Sequence, residues 1–288
     1  MADEKTGVSH IIPYEQIRKG AETVRCLPRL ASSDREVFES LLKLDFGPQM
    51  TAAGRIAGQQ RSAILVHGDG DHGQRVLLER IRRSNKFDNT FFLKVDLGRV
   101  TLRPDKEKIY QDVARWLEIN PPERAIREPE LLYQAIARRL RLKDTVIIFL
   151  PDVQTPIEVI NEVISGFWQP LLKSLRNIAA AKKRLMVLIL DEFACRKLWG
   201  QLDVAQAIND WRPELPLELP ALSPIDKVTL EDWLVDAVTP FVDPATRSLI
   251  AELLYEQSNN GIPESVFHQY CKMRALSWSE VRHRWLEK

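Results

Sequence analysis

Only three cysteines occur in this chain of 288 residues, Cys26, Cys195 and Cys271. They are scattered, odd in number, and form no close pair of metal-ligand spacing. A disulfide framework is therefore excluded, and a reduced compartment is the simplest reading. An excess of either charge is also missing. The 41 Lys and Arg against 40 Asp and Glu leave a formal net charge of +1. Nucleic-acid binders often carry a basic excess, so the bulk charge offers DNA or RNA no support. Long apolar runs are absent: Thr145 to Leu150 and Leu185 to Leu190 fall far short of the ~20 residues a bilayer requires. The opening MADEKTG is polar and acidic, unlike a secretory signal. No internal repeat and no low-complexity tract is present. These absences predict a soluble, cytoplasmic protein with no membrane association.

What is present is ample apolar material, 44% of residues, enough for a packed core. The length fits one large or two ordinary domains. Residues 1–32 show weak periodicity and read as an arm or tail. Ser33-Asp34-Arg35-Glu36 is a capping box that opens a helix. Strands and helices then alternate. Ala63 to His67, Thr90 to Leu97, Thr145 to Leu150, Leu185 to Leu190 and Leu217 to Leu219 read as strands. Helices are expected over 75–83, 106–116, 128–141, 157–180 with a break near Pro170, and 204–211. Alternation of this kind predicts an α/β domain over 33–222, a three-layer parallel sheet, which the loop after its first strand makes P-loop NTPase-like. From 223 to 288 only helical patterns follow, opened by capping signals at Thr229, Asp243-Pro244 and Ser277, and they predict a small helical lid.

The first apolar strand runs into GDGDHGQR, Gly68 to Arg75. The frame is that of a phosphate loop: glycine, four residues, glycine, then the position for Lys and the position for Ser or Thr. Gly68, Gly70 and Gly73 retain the backbone of a cradle whose N–H groups can face an anion. The side chains do not fit. Gln74 is neutral where a lysine should meet the outer phosphates. Arg75 stands where a hydroxyl should hold Mg²⁺. Asp69 and Asp71 add negative charge. A charged hydrogen bond contributes about 1.5–3 kcal/mol, so loss of the lysine alone weakens binding roughly ten- to hundredfold. Residual nucleotide contact is all this loop retains. The competing reading is an ordinary strand-to-helix turn.

A P-loop enzyme also needs an acid at another strand tip. The candidates are Asp152, after Leu150-Pro151, and the pair Asp191-Glu192, after Leu190. In the usual layout the acid strand comes before the sensor strand. That order makes Pro151-Asp152 a degraded acid position and sets Asp191 and Glu192 on the sensor strand, where capping of a following helix is the plainer role.

Taken together, Leu44-Asp45-Phe46 with Gln49, the strand ending in His67-Gly68, and His72-Gly73-Gln74-Arg75-Val76-Leu77-Leu78 resemble the inactive STAND, or iSTAND, domains. These are relatives of STAND signalling ATPases whose loop has lost its lysine. Leu219 to Ser223 and Glu231-Asp232-Trp233-Leu234 resemble the STAND passage from last strand to helical lid. Asp69, Asp71 and Arg75 depart from the pattern. The resemblance, spanning about 34–240, implies no catalysis and no cofactor. It implies a signalling scaffold in bacterial conflict or antiphage systems, acting on a separately encoded effector or adaptor protein, and leaves an oligomer open.

His67 and His72 flank the loop with Asp69 and Asp71 between them, but a metal site usually draws ligands from several elements, and none is expected. The basic clusters at Arg80 to Lys86 and Arg138 to Lys143 read as solvated helix faces. Trp116, Trp168, Trp199 and Trp211 are expected in the core, and Trp278 and Trp285 toward a partner. Two rivals remain: a divergent ATPase using Asp191 and Glu192 with Arg75 replacing the lysine, and a nucleic-acid-binding AAA-type adaptor.

Overall fold

The computed structural model describes residues 33–44, 46–56, 58–84, 89–95, 106–150, 157–176, 183–192, 194–197, 202–237 and 243–286. The chain forms two compact units. Phe46–Ser223 is one, and Pro224–Lys288 joins Met1–Asp45 in the other.

Helix α1, Asp34–Leu41, belongs to the second unit. Its capping box is formed as expected: Ser33 Oγ accepts from Glu36 N–H, and Glu36 Oε2 accepts from Ser33 N–H at 2.8 Å. The sheet unit begins with α2, Gly47–Ile56, and β1, Arg61–Val66. Then come α3 (Gln74–Arg83), β2 (Thr90–Lys94), α4 (Lys106–Trp116), α5 (Arg124–Arg127) and α6 (Pro129–Leu142). Strand β3 spans Thr145–Leu150. It leads to α7 (Ile157–Glu162), a π-helical stretch (Val163–Trp168), α8 (Gln169–Leu175), β4 (Arg184–Leu190) and β5 (Leu217–Glu218).

Among the described residues the five strands are all parallel, in the order β2-β3-β4-β1-β5. Ala63 and Leu65 pack with Val187, Ile189, Ile136, Phe167 and Trp168 in the core on one face. The alternate residues Ile64, Val66, Ile147, Met186 and Leu188 are equally buried. Burial on both faces is why β1, β3 and β4 read as unbroken apolar runs.

The helix after β3 shows how the chain absorbs a proline. Pro170 has no N–H to donate to the Gly166 carbonyl. The backbone widens just before it, and Gln169 N–H reaches back to Ile164 O. Tyr110 Oη supplies a donor to Gly166 O at 3.0 Å, and Tyr133 Oη pairs with Tyr110 Oη at 2.7 Å. The break expected near Pro170 is thus a π-turn rather than an end.

The expected helix over 204–211 does not form. Ala205 bridges Leu217, accepting from Glu218 N–H and donating to Pro216 O, both at 2.9 Å. Pairing beside β5 claims the backbone groups a helix would use internally.

In the helical unit α9 spans Lys227–Ala237, α10 Pro244–Gln257, α11 Pro263–Met273 and α12 Trp278–Leu286. Asp243 caps α10 with Pro244 at the first turn, as its sequence predicts. Helix α9 starts earlier than Thr229: Asp226 is the capping side chain, and Thr229 donates its N–H to Asp226 Oδ1 at 2.8 Å. The sequence groups α1 with the sheet; here its partners are in α9 and α12. Trp233 Nε1 donates to Ser40 O at 2.8 Å, and Trp285 stacks on Phe38 with ring centroids 5.6 Å apart.

The tryptophans correct the expectations in both directions. Trp278 is 6% exposed and donates to Glu264, so it packs inside. Trp168 is core, but Trp116 is 48% exposed. Trp199 lies outside the described residues. Among the described residues no helix is long and apolar enough to cross a membrane.

Candidate functional site: a degenerate phosphate loop

Strand order sets β1 between β4 and β5, so three C-terminal strand ends lie side by side. The loop after β1 leads into α3 at Gln74. Its turn is made by two left-handed residues, Asp71 at φ 64° and Gly73 at φ 81°. Gly73 is the N-cap of α3 and needs this freedom. Gly68 is small for another reason. A Cβ there would lie 2.9 Å from Leu222 Cβ, because Gly68 and Leu222 form a parallel bridge. Gly70 has open space around it, and a Cβ added there would meet nothing within 4 Å.

The side chains that should serve a ligand serve the protein instead. Gln74 is 3% exposed, and its Nε2 donates to Asp69 O at 2.7 Å. His72 is also buried, with Nδ1 2.8 Å from Gly70 O. Arg75 forms a two-pronged pair with Glu192: Nε to Oε1, and Nη2 to Oε2 at 2.8 Å. The two side chains are 13% and 12% exposed. A fork of this kind is among the stronger side-chain interactions. It fills the place where a hydroxyl would hold Mg²⁺, and it joins a loop residue to one of the acid candidates.

Asp191 has a different job from its neighbour. It is fully buried. Its Oδ1 accepts from Cys195 N–H at 3.0 Å and its Oδ2 from Arg196 N–H at 2.7 Å. It caps the short 3₁₀ turn Cys195–Lys197. Burial and the nearby Asp191 charge push the Cys195 thiol up from its ordinary range. Asp152, the other acid candidate, lies outside the described residues.

Further charges tie the strand ends together. Arg196 forks onto Glu218 of β5, Nε to Oε1 at 2.6 Å and Nη2 to Oε2 at 3.0 Å, which raises the arginine's pKa further. His67 Nε2 lies 3.0 Å from Leu219 O and 3.2 Å from Glu218 Oε1. Lys197 pairs with Asp69 and holds that carboxyl below the usual aspartate range. Gln49 of α2 donates to Pro220 O and Ala221 O, both at 3.2 Å. Arg196, Lys197 and Glu218 do not stand out in the sequence. The available signal is Glu218 itself, a lone carboxylate in a short apolar strand, and two cations close after Asp191-Glu192. Among the described residues no group of three or more His, Cys, Asp or Glu side chains is placed to hold a metal ion.

The basic clusters are partly spent on internal contacts. Arg82 and Arg83 both pair with the buried Glu79. Arg139 lies over the Phe91 ring at 4.7 Å.

The family model for iSTAND, inactive STAND, matches residues 41–190, just over half of the chain. The chain belongs to the iSTAND family. The match begins before α2 and ends at the last residue of β4, so it includes Gln49, the loop and the strand that leads to Asp191. No match is found among the curated proteins. Among solved structures, a Walker-type ATPase of Pyrococcus abyssi is similar at 12% identity, over 85% of this chain and 71% of that chain, with a TM-score of 0.46. In this iSTAND chain Gln74 and Arg75 stand at the start of α3, each bonded within the protein.

Proposed function

We propose that this iSTAND protein is a non-catalytic signalling scaffold or sensor that works through protein–protein contact. Its setting is bacterial conflict or phage defence, and its effector or adaptor is a separate chain. One observation carries the reading: both residues that would engage a nucleotide are committed inside the protein, Gln74 to the Asp69 carbonyl and Arg75 to Glu192. Hydrolysis needs a free base and a free cation at the phosphates. The ATPase alternative assigns those roles to Glu192 and Arg75, which hold one another. The partly engaged arginines of both basic clusters weigh against the nucleic-acid alternative.

Calorimetric titration of the full chain with Mg-ATP tests the reading. The expected result is no binding in the micromolar range and no hydrolysis above background, with Glu192→Gln unchanged from wild type. A micromolar dissociation constant, or hydrolysis abolished by that substitution, overturns it.

A further inference from the structure

The segment that follows β4 carries charged side chains that reach three other places. Asp191 holds the segment in a turn by accepting the N–H groups of Cys195 and Arg196. Ala194 takes a left-handed conformation, at φ 57°. Glu192 grips Arg75 at the start of α3, and Lys197 grips Asp69 in the loop. Arg196 grips Glu218 on the far side of β1. The loop is therefore fastened near both of its ends to the segment that follows β4.

In a working phosphate loop, polyphosphate and its metal tie the loop to the neighbouring strand tips. Here side-chain charges make that tie. The consequence extends to the exit of the sheet. Leu222 N–H donates to His67 O at 3.0 Å, and Leu222 packs on Gly68 where no side chain intervenes. The strand exit over 219–222 thus rests on the loop that Glu192 and Lys197 hold.

We propose that the segment after β4 is an internal ligand of the degenerate loop: through Glu192 and Lys197 it holds the loop closed, as bound polyphosphate would, and so fixes the exit of β5 without nucleotide. This rests on the reading of the chain as a non-hydrolysing scaffold and names how its loop is kept in one conformation. The Arg75–Glu192 fork is the stronger clasp, since both partners are largely shielded from water. The Lys197–Asp69 pair is exposed and screened by salt.

Hydrogen exchange on the full chain tests the clasp. The amides of 67–75 and 219–222 are followed with and without Mg-ATP. In the wild type they are expected to be protected without nucleotide, and Mg-ATP changes nothing. The double variant R75A/K197A should exchange about tenfold faster at both stretches, as expected when a local opening loses its restraining contacts. Strands β3 and β4 should be unchanged, which confirms that the sheet unit of the variant is folded. The charge exchange R75E/E192R should return the rate toward wild type. Should the double variant not fold, Glu192→Gln alone decides the matter, since it removes the charge of the stronger fork and keeps its bulk; a rise in loop exchange supports the clasp and no rise overturns it. Wild-type exchange at the unprotected rate, or a double variant identical to wild type, overturns the clasp alone. Protection that appears only with Mg-ATP overturns both the clasp and the nucleotide-independent reading.

Discussion

Gln74 donates its carboxamide to the backbone carbonyl of Asp69, 2.7 Å away across the turn they share. The side chain at the lysine position is thereby turned into part of the loop's own structure.

Replacing it should destabilise the sheet unit. Gln74→Leu keeps the bulk and removes the donor from a buried site, at a cost of about 1–3 kcal/mol. Urea denaturation followed by tryptophan fluorescence measures this. Gln74→Lys alone should not create Mg-ATP binding, because Arg75 remains paired with Glu192 and two aspartates stay on the loop. An unchanged urea midpoint in Gln74→Leu would show that the bond contributes nothing.

The loop glycines should respond unequally. In Gly68→Ala the new methyl meets Leu222 Cβ at 2.9 Å and its carbonyl oxygen at 3.1 Å. Crowding of this kind costs roughly 1–3 kcal/mol. Gly70→Ala meets nothing within 4 Å and should stay within roughly 0.5 kcal/mol of wild type. Equal thermal shifts for the two variants would contradict this account of the loop.

Asp191 is expected to matter for folding and not for turnover. Asp191→Ala leaves two N–H groups without their acceptor and should cost about 2 kcal/mol. Asp191→Asn keeps an acceptor oxygen and should recover part of the loss. Differential scanning calorimetry reads both effects, and a variant as stable as wild type would remove the capping role.

Acid should loosen the protein through identifiable carboxylates. Lys197 lowers the pKa of Asp69, Lys183 that of Asp144, and the N–H of Thr229 and the Thr246 side chain those of Asp226 and Asp243. Each depressed folded-state pKa contributes stability that is present above the unfolded value, near about 4. That contribution is lost as pH falls through the lower folded value. Stability should therefore drop on going from about pH 5 toward about pH 2, and Asp226→Asn and Asp243→Asn should flatten the profile. Parallel profiles for wild type and variants would refute the assignment.

Much of the sheet was legible because its strands are buried on both faces. Thr145–Leu150 reads as a strand from composition alone, and so does the run ending at Leu190. The caps of α1 and α10 were legible because a Ser-to-Glu or Asp-Pro signal acts over three residues. The stretch 204–211 reads wrongly as a helix because its apolar spacing fits one until β5 offers Ala205 a partner. Trp116 and Trp278 traded places for a similar reason: an aromatic residue in a helix says nothing of which face that helix buries.

By itself the sequence determined that a parallel α/β sheet forms, that a loop in the phosphate-loop frame follows its first strand, and that this loop lacks its lysine. These are local matters of periodicity, capping and residue type. Tertiary structure alone decided that adjacent Asp191 and Glu192 part ways, one capping its own turn and the other gripping Arg75, 117 positions earlier. Such a choice depends on where strand order brings the chain together, and nothing in the spacing of neighbouring residues records that.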